Sequence, residues 1–363
     1  MFETALKLLA KIEENGFKAY VVGGFVRDYL LGIESHDIDV CTNAKPKDIR
    51  AIFKDACLPR EAYGSITVII KNVRFEITTF RKEYSYINYR KPIDFEYIND
   101  LHEDLKRRDF LINTLCIDRY GNVLDILNGK EDLNNREINT VGDSVYKFTQ
   151  DAFRILRAVR IATTLHFKLS DEVYQAILET KHLLKNISYQ RKKEELDKIF
   201  TSTYVEYGVQ LLLELGLDLE LDLPKLKDVS CFDDLVGVWT QLDVLDVYPF
   251  TNNERDLILG IKAVLDGGSI NSRVLYNYGL YVVSIAANIC GIDKKEITAK
   301  YQELPIKSKN EIVVNGMDIS NYLKRKPDKY LKEIMNDLES KIINCELLNE
   351  KDCLLDYIGK TYR

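Results

Sequence analysis

Gly23-Gly24-Phe25-Val26-Arg27-Asp28-Tyr29-Leu30-Leu31-Gly32, followed closely by Asp37-Ile38-Asp39, is the stretch on which the reading of this chain turns. The apolar run Ala19–Val22 reads as a strand feeding straight into Gly-Gly, and Phe25–Leu31 has helical spacing. A strand that enters a helix through two glycines lets backbone N–H groups approach phosphate oxygens with no side chain in the way. Gly23 and Gly24 are therefore candidate nucleotide-binding positions. Asp37 and Asp39 stand two apart on the next strand, so they project from one face about 7 Å apart and can converge on a pair of cations. Two such metals, roughly 3.5–4 Å apart, would activate a ribose hydroxyl and neutralise a departing pyrophosphate. Glu76, within Arg74-Phe75-Glu76-Ile77-Thr78, would complete the acidic cluster if it faces inward.

A Gly-Gly alone is usually a turn, and an Asp-x-Asp alone is usually a solvated strand face. Their order here, strand, turn, helix, strand, makes the combination far more specific. Working outward, the first 140 residues alternate short strands with helices: Ile66–Lys71 and Val73–Phe80 form an expected hairpin turning at Lys71-Asn72, and Leu115–Asp118 with Val123–Leu127 a second. After residue 142 apolar residues recur at helical spacing and no convincing strand follows, which gives an α+β chain, a mixed head with an all-α remainder. Ser170 and Ser188 are expected helix N-caps. Soft boundaries fall near 140, 205 and 290, dividing the chain into a head (1–140), neck (141–205), body (206–290) and tail (291–363).

Composition narrows the chemistry. Seven scattered cysteines, none spaced CxxC, argue against a disulfide framework or a zinc site, and four scattered histidines leave oxygen ligands and hence magnesium. No run approaches the roughly 20 apolar residues of a membrane span, and the N-terminus reads as an amphipathic helix, so a cytoplasmic protein is expected. The net charge of −6 looks wrong for a nucleic-acid partner, but the acidic excess sits in residues 201–264 and the remainder is net positive.

GGFVRDYLLG followed by DIDVCT resembles the signature of the polymerase-β-like nucleotidyltransferases, specifically the bacterial-type CCA-adding tRNA nucleotidyltransferase and poly(A) polymerase family. The resemblance implies that Asp37 and Asp39 hold the metals, with Glu76 as a weaker third. Leu105-Lys106-Arg107-Arg108-Asp109-Phe110-Leu111-Ile112-Asn113 resembles the family's RRDFxxNA block, with Thr114 in place of alanine. That block contacts the sugar of the incoming nucleotide, which makes Arg108, Asp109 and Asn113 candidates beside Arg27. Physically, Asp109 would accept the 2′-hydroxyl proton and Arg108 would lie near phosphate or ribose oxygens.

Gln150-Asp151-Ala152-Phe153-Arg154-Ile155-Leu156-Arg157-Ala158-Val159-Arg160 resembles the family's EDxxRxxRAxRF helix, with Gln150 where the family has glutamate. Asp151 and Arg154, three apart, are expected to share a helix face. A fixed acceptor beside a fixed donor suits cytosine and adenine and leaves uracil and guanine facing like partners, at about 1–3 kcal/mol or more per unpaired buried group. Arg157 and Arg160 continue the stripe toward triphosphate or RNA backbone. Asp125–Leu133 resembles the family's hinge, and Arg191–Ile199 its RxxxEL.KI helix, read as a brace for the neck.

At the C-terminal end Leu304–Lys307 and Val313–Ile319 resemble the tail of bacterial CCA-adding enzymes, and Lys324, Arg325, Lys326 and Lys329 could grip RNA phosphates. In the family, loss of a flexible loop before the RRD block marks enzymes that stop at CC. Arg81–Asp100 keeps its full length here, with Tyr84, Arg90, Lys91 and Pro92. The expectation is template-independent CCA addition to tRNA from CTP and ATP with Mg²⁺. CC-only or A-only addition and poly(A) polymerisation are the near alternatives, and a non-catalytic RNA-binding protein of the same fold is the remote one.

Overall fold

The computed structural model describes residues 1–363 except His36, Asp55, Ala56, Tyr63, residues 88–90 and Arg363; residues 57–62, 85–87 and 91–94 are described by their backbone alone. The chain divides into two compact units, Met1–Leu226 and Lys227–Arg363.

The first unit opens with α1 (Phe2–Glu14), whose buried stripe Ala5, Leu8, Leu9 and Ile12 packs on β1 (Ala19–Val22). α2 (Gly24–Leu31) follows at once, ended by Gly32 in the left-handed region, a residue type that takes this conformation without a Cβ penalty. Then come β2 (Ile38–Thr42), α3 (Pro46–Ile52), β3 (Cys57–Ala62), β4 (Ser65–Ile70) and β5 (Val73–Thr79). Lys71 and Asn72, both at positive φ, make the tight turn between β4 and β5, as the sequence predicts.

β6 (Arg81–Ile87) and β7 (Lys91–Tyr97) form a separate antiparallel ribbon. α4 (Leu101–Lys106), β8 (Cys116–Ile117), β9 (Val123–Leu124) and α5 (Gly129–Asn135) complete the head. The main sheet runs β3-β4-β5-β2-β1-β8-β9, with β2 and β5 parallel and the other neighbours antiparallel. Alternation fixes its two faces: Val40, Phe75 and Ile77 are buried, whereas Asp39, Arg74 and Glu76 are exposed.

Gly129 is required by close approach, since a Cβ there would stand 2.2 Å from the Leu111 carbonyl oxygen. One expectation fails here. β10 (Glu137–Ile138) pairs in parallel with β11 (Lys168–Leu169), a strand beyond residue 142 too short to show period-two patterning.

Helices carry the rest of this unit: α6 (Ser144–Gln150), α7 (Phe153–Leu165), α8 (Asp171–Thr180), α9 (Tyr189–Phe200) and α10 (Val205–Glu214). Ser170 caps α8 by accepting from Val173 N at 3.3 Å, while Ser188 occupies the cap position of α9 without a side-chain cap bond. In the second unit the described residues form helices and connecting segments around two apolar cores, one including Ile261, Val283 and Ile297, the other Ile319, Leu338 and Leu354.

Candidate active site

The carboxylates come from neighbouring strands. Asp39 pairs in register with Val22 of β1 on one side and with Glu76 of β5 on the other, so Asp39 and Glu76 stand side by side on one open face. Asp37 is exposed just before β2, and Ile38 between the two aspartates is buried. Gly23, at φ 85° and ψ −152°, occupies a backbone region open essentially to glycine alone. A Cβ there would stand 3.0 Å from Asp39 Oδ2, so the missing side chain is what leaves the carboxylate clear. Although Asp39 presents solvent-accessible surface, the protein crowded around its carboxyl group outweighs the attraction of Arg108. With Glu76 and Asp37 adding repulsion, its pKa rises to about 6.

Beside this face lies a cavity of 350 Å³ lined by Arg81, Glu83, Arg107, Arg108, Asp109, Asp151, Phe153, Arg154, Arg157 and Arg191. It gathers five of the residues singled out in the sequence: Arg108, Asp109, Asp151, Arg154 and Arg157. Arg108 and Asp109, adjacent in sequence, take different partners. Arg108 Nη2 reaches Asp104 Oδ2 at 3.4 Å, and its buried Nε has no hydrogen-bond partner among the described residues.

Asp109 Oδ2 accepts from Arg157 Nε at 2.8 Å and Nη2 at 2.5 Å, while its Oδ1 accepts from Phe110 N at 2.8 Å and Asn113 Nδ2 at 3.1 Å. Burial would raise this carboxyl, but Arg157 and Asn113 hold it well below the usual carboxylate range. All four acceptor sites of the group are thus filled.

The Asp151–Arg154 arrangement differs from the expected helix face. Asp151 is extended (φ −143°, ψ 98°) and precedes the first residue of α7; its Oδ1 accepts from Phe153 N at 3.1 Å. From one residue outside the N-cap position, held by Ala152, the carboxylate takes up the orphan N–H of the first helical residue in an Asx-type turn and so lies outside the helix. Arg154, 7% exposed, is braced by carbonyls: Nη1 donates to Lys147 O and to Gln150 Oε1, and Nη2 to Arg107 O, each at 3.2 Å. Gln150 therefore still orients the arginine through its amide oxygen. Asp151 and Arg154 meet as cavity-lining residues, not as helix-face neighbours.

Arg160 is turned elsewhere, its Nε donating to Glu195 Oε2 of α9 at 2.5 Å, and it does not line the cavity. Arg27 is also engaged inside the protein, with Asp28 and Asn113. Sequence reading did not single out Phe153 and Arg191 as site residues; the Arg191 guanidinium lies 3.8 Å over the Phe153 ring at the cavity wall. The only signal for Arg191 was its place in a block read as a brace. A larger cavity of 530 Å³ adjoins, sharing Glu83 and Arg107 and floored by Leu111, Leu127 and Val141. Of the loop residues read as a marker of specificity, Tyr84 donates to Glu96 Oε2 at 3.0 Å, Arg90 lies outside the described residues, and Lys91 and Pro92 are described by backbone alone.

Family models match three segments: a poly A polymerase head domain over residues 19–139, a probable RNA and SrmB binding site of polymerase A over 166–227, and a putative tRNA nucleotidyltransferase domain 2 over 249–358. The CCA-adding enzyme of Ligilactobacillus salivarius is 33% identical over 99% of this chain and 96% of its own. The chain belongs to the CCA-adding enzyme family. Another CCA-adding enzyme, from Lactococcus lactis subsp. cremoris, is 34% identical with the same coverage. The structure of the Bacillus stearothermophilus CCA-adding enzyme in complex with CTP is 28% identical, covers 99% of this chain and 97% of that one, and superposes with a TM-score of 0.85. The Thermotoga maritima CCA-adding enzyme complexed with tRNA, 20% identical at TM-score 0.69 over 99% and 94% of the two chains, shares the fold.

Members of the CCA-adding family are nucleotidyltransferases that use a divalent metal ion. The residues here fit one. Among the described residues no three His, Cys, Asp or Glu side chains gather into a ready-made cage. An exposed pair of aspartates, with Gly23 leaving the Asp39 carboxylate clear, is what a hard cation needs when it completes its shell with substrate oxygens and water. No helix among the described residues is long and apolar enough to cross a membrane.

Proposed function

We propose that this protein completes the 3′ end of tRNA by adding C, C and A from CTP and ATP without a nucleic-acid template, with Mg²⁺ held by Asp37 and Asp39. The observation that carries this reading is the open carboxylate face beside a cavity walled by arginines together with Asp109 and Asp151. Bound at the two aspartates, the metal supplies charge neutralisation at the phosphates and a more acidic ribose hydroxyl. Glu76, alongside Asp39, adds negative charge to that face and helps retain the ion.

The chain's own residues do the rest. Gly23 and Gly24 let the triphosphate approach the start of α2. Arg108, with its unsatisfied buried Nε and its guanidinium kept charged by Asp104, faces ribose or phosphate oxygens. Asp109 reads the 2′-hydroxyl once Arg157 turns toward the triphosphate, because its acceptor sites are otherwise full. Asp151 supplies an acceptor and Arg154 a donor to the Watson–Crick edge, and carbonyl bracing keeps Arg154 from following a wrong base. Phe153 and Arg191 form a stacked wall for the base plane. Arg160 acts through Glu195, bracing α7 against α9.

In this reading residues 1–140 are the catalytic head, 141–205 the base-selecting neck, 206–290 the body and 291–363 a tRNA-binding tail, and the protein works in the cytoplasm where its substrate is made. The test uses purified protein, Mg²⁺, labelled CTP or ATP, and tRNA lacking its last three nucleotides, with products resolved to single nucleotides. CTP alone should extend by two and both nucleotides by three. A stop at two with both present would make it a CC-adding enzyme, a long ladder with ATP a poly(A) polymerase, and no incorporation would remove the enzymatic reading.

A further inference from the structure

Arg27 sits in the first turn of α2, 8% exposed, and three of its five N–H groups are committed within the protein. Nε and Nη2 both donate to Asp28 Oδ1, at 2.8 and 2.6 Å, and Nη1 donates to Asn113 Oδ1 at 2.8 Å. A Cβ on Gly24 would lie 3.4 Å from Arg27 Nη2, so the guanidinium sits against the glycine turn itself.

Asn113, 6% exposed, is the joint. A guanidinium only donates and an ionised carboxylate only accepts; the amide offers one end to each. Oδ1 takes the Arg27 hydrogen bond and Nδ2 gives one to Asp109 Oδ1 at 3.1 Å, so both neighbours dictate the same amide orientation. Asp109 Oδ2 then closes on Arg157 of α7. The path Asp28, Arg27, Asn113, Asp109, Arg157 runs without a break from the glycine turn to the neck; its first four side chains are sheltered, Asp28 15% and Asp109 11% exposed, and only the Arg157 end, at 34%, opens toward the cavity.

Resting on the nucleotide-site reading above, we infer that Asp28 is a positioning residue: by clamping Arg27 it sets, through Asn113, where Asp109 and Arg157 stand, and so couples the grip on the triphosphate to the reading of the ribose. Among the described residues the hydrogen bonds of the Asp28 carboxylate go to Arg27, not to the carboxylate face or the cavity wall. Its effect on the sugar end therefore passes through two intermediates, and charge-assisted bonds in a low-dielectric setting make each step firm.

The experiment measures KM and kcat for CTP and for 2′-deoxy-CTP on truncated tRNA, with the wild type, Asp28→Asn, Arg157→Lys and the double variant. Asp28→Asn should raise the KM for CTP about tenfold with kcat within about threefold, and lower discrimination against the deoxy nucleotide at least about threefold. The double variant should be no more than about twofold worse than the poorer single, because both changes break one chain. Independent multiplication of the two effects, or kinetics like wild type for Asp28→Asn, would overturn the inference. Should Asp28→Asn lose its fold, Asn113→Asp, which sets two carboxylates against each other, is carried through the same cycle with Asp28→Glu. Wild type that does not use CTP fails the nucleotide-site reading; an impaired Arg157→Lys beside a normal Asp28→Asn fails only the relay.

Discussion

Asp109 and Arg157 lie 48 positions apart in sequence yet meet in the cavity wall, Arg157 Nη2 to Asp109 Oδ2 at 2.5 Å, with Nε on the same oxygen at 2.8 Å. This pair ties the segment after α4 to α7, so before nucleotide binds, the group that faces the ribose is held against the helix that carries Arg154. Asp109→Asn keeps the shape but removes the charge that holds Arg157. We expect kcat/KM for CTP to fall about 100-fold, roughly 2.7 kcal/mol, with loss of discrimination against 2′-deoxy-CTP. Steady-state kinetics with both nucleotides checks this; unchanged sugar discrimination would contradict it.

Gly23 is the next lever. Gly23→Ala forces a side chain into positive φ and sets Cβ 3.0 Å from Asp39 Oδ2. The strain of about 1–3 kcal/mol should lower the melting temperature by a few degrees. The displaced carboxylate should cost far more activity than that loss of stability explains, on the order of 100-fold in kcat. A variant that melts earlier but retains kcat would separate the turn from the chemistry.

Arg154→Ala should weaken CTP and ATP use together, about tenfold or more each, and relax rejection of UTP. The measure is the ratio of kcat/KM values for CTP and UTP on the same tRNA. Unchanged selectivity would leave the Asp151–Arg154 template unsupported.

Lys147 offers a pH test of stability. Its Nζ donates to the carbonyls of Lys106 at 2.6 Å and Arg108 at 2.9 Å, but burial and the nearby charge of Arg154 lower its pKa to about 7. A lysine depressed in the fold from its unfolded value of about 10.4 binds fewer protons when folded, so its contribution to stability grows as pH rises from about 7 toward 10 and is least favourable below 7. Comparing Lys147→Met with wild type cancels other groups: the variant's relative stability should fall by about 2 kcal/mol between pH 7 and pH 9. Chemical denaturation at the two pH values checks it; a gap that stays constant would refute the shifted lysine.

How much of this was legible beforehand follows from the range of each interaction. The strand–Gly-Gly–helix–Asp order was legible because period-two and period-3.6 patterning and the glycine turn are local. The Lys71-Asn72 turn and the Ser170 cap were legible for the same reason. The partners were not. Spacing along one helix pairs Asp151 with Arg154 and sends Arg160 into a basic stripe. The fold instead spends Asp151 on a helix start and Arg160 on Glu195, 35 positions away. The β10–β11 pair, two residues on each strand, lacks the length for any periodic signal. Phe153 and Arg191 share a wall only because α9 returns alongside α7.

On the function proposed, β2 and the residue before it set two carboxylates where metal-assisted transfer to an RNA hydroxyl takes place. Single-turnover transfer from labelled CTP to truncated tRNA, compared for wild type and Asp39→Ala with tRNA affinity measured alongside, tests it most directly. Asp39→Ala should lower the rate by at least about 1,000-fold with tRNA affinity within about twofold, since transition-state charge stabilisation is lost and backbone contacts are not. A rate within tenfold of wild type would contradict it.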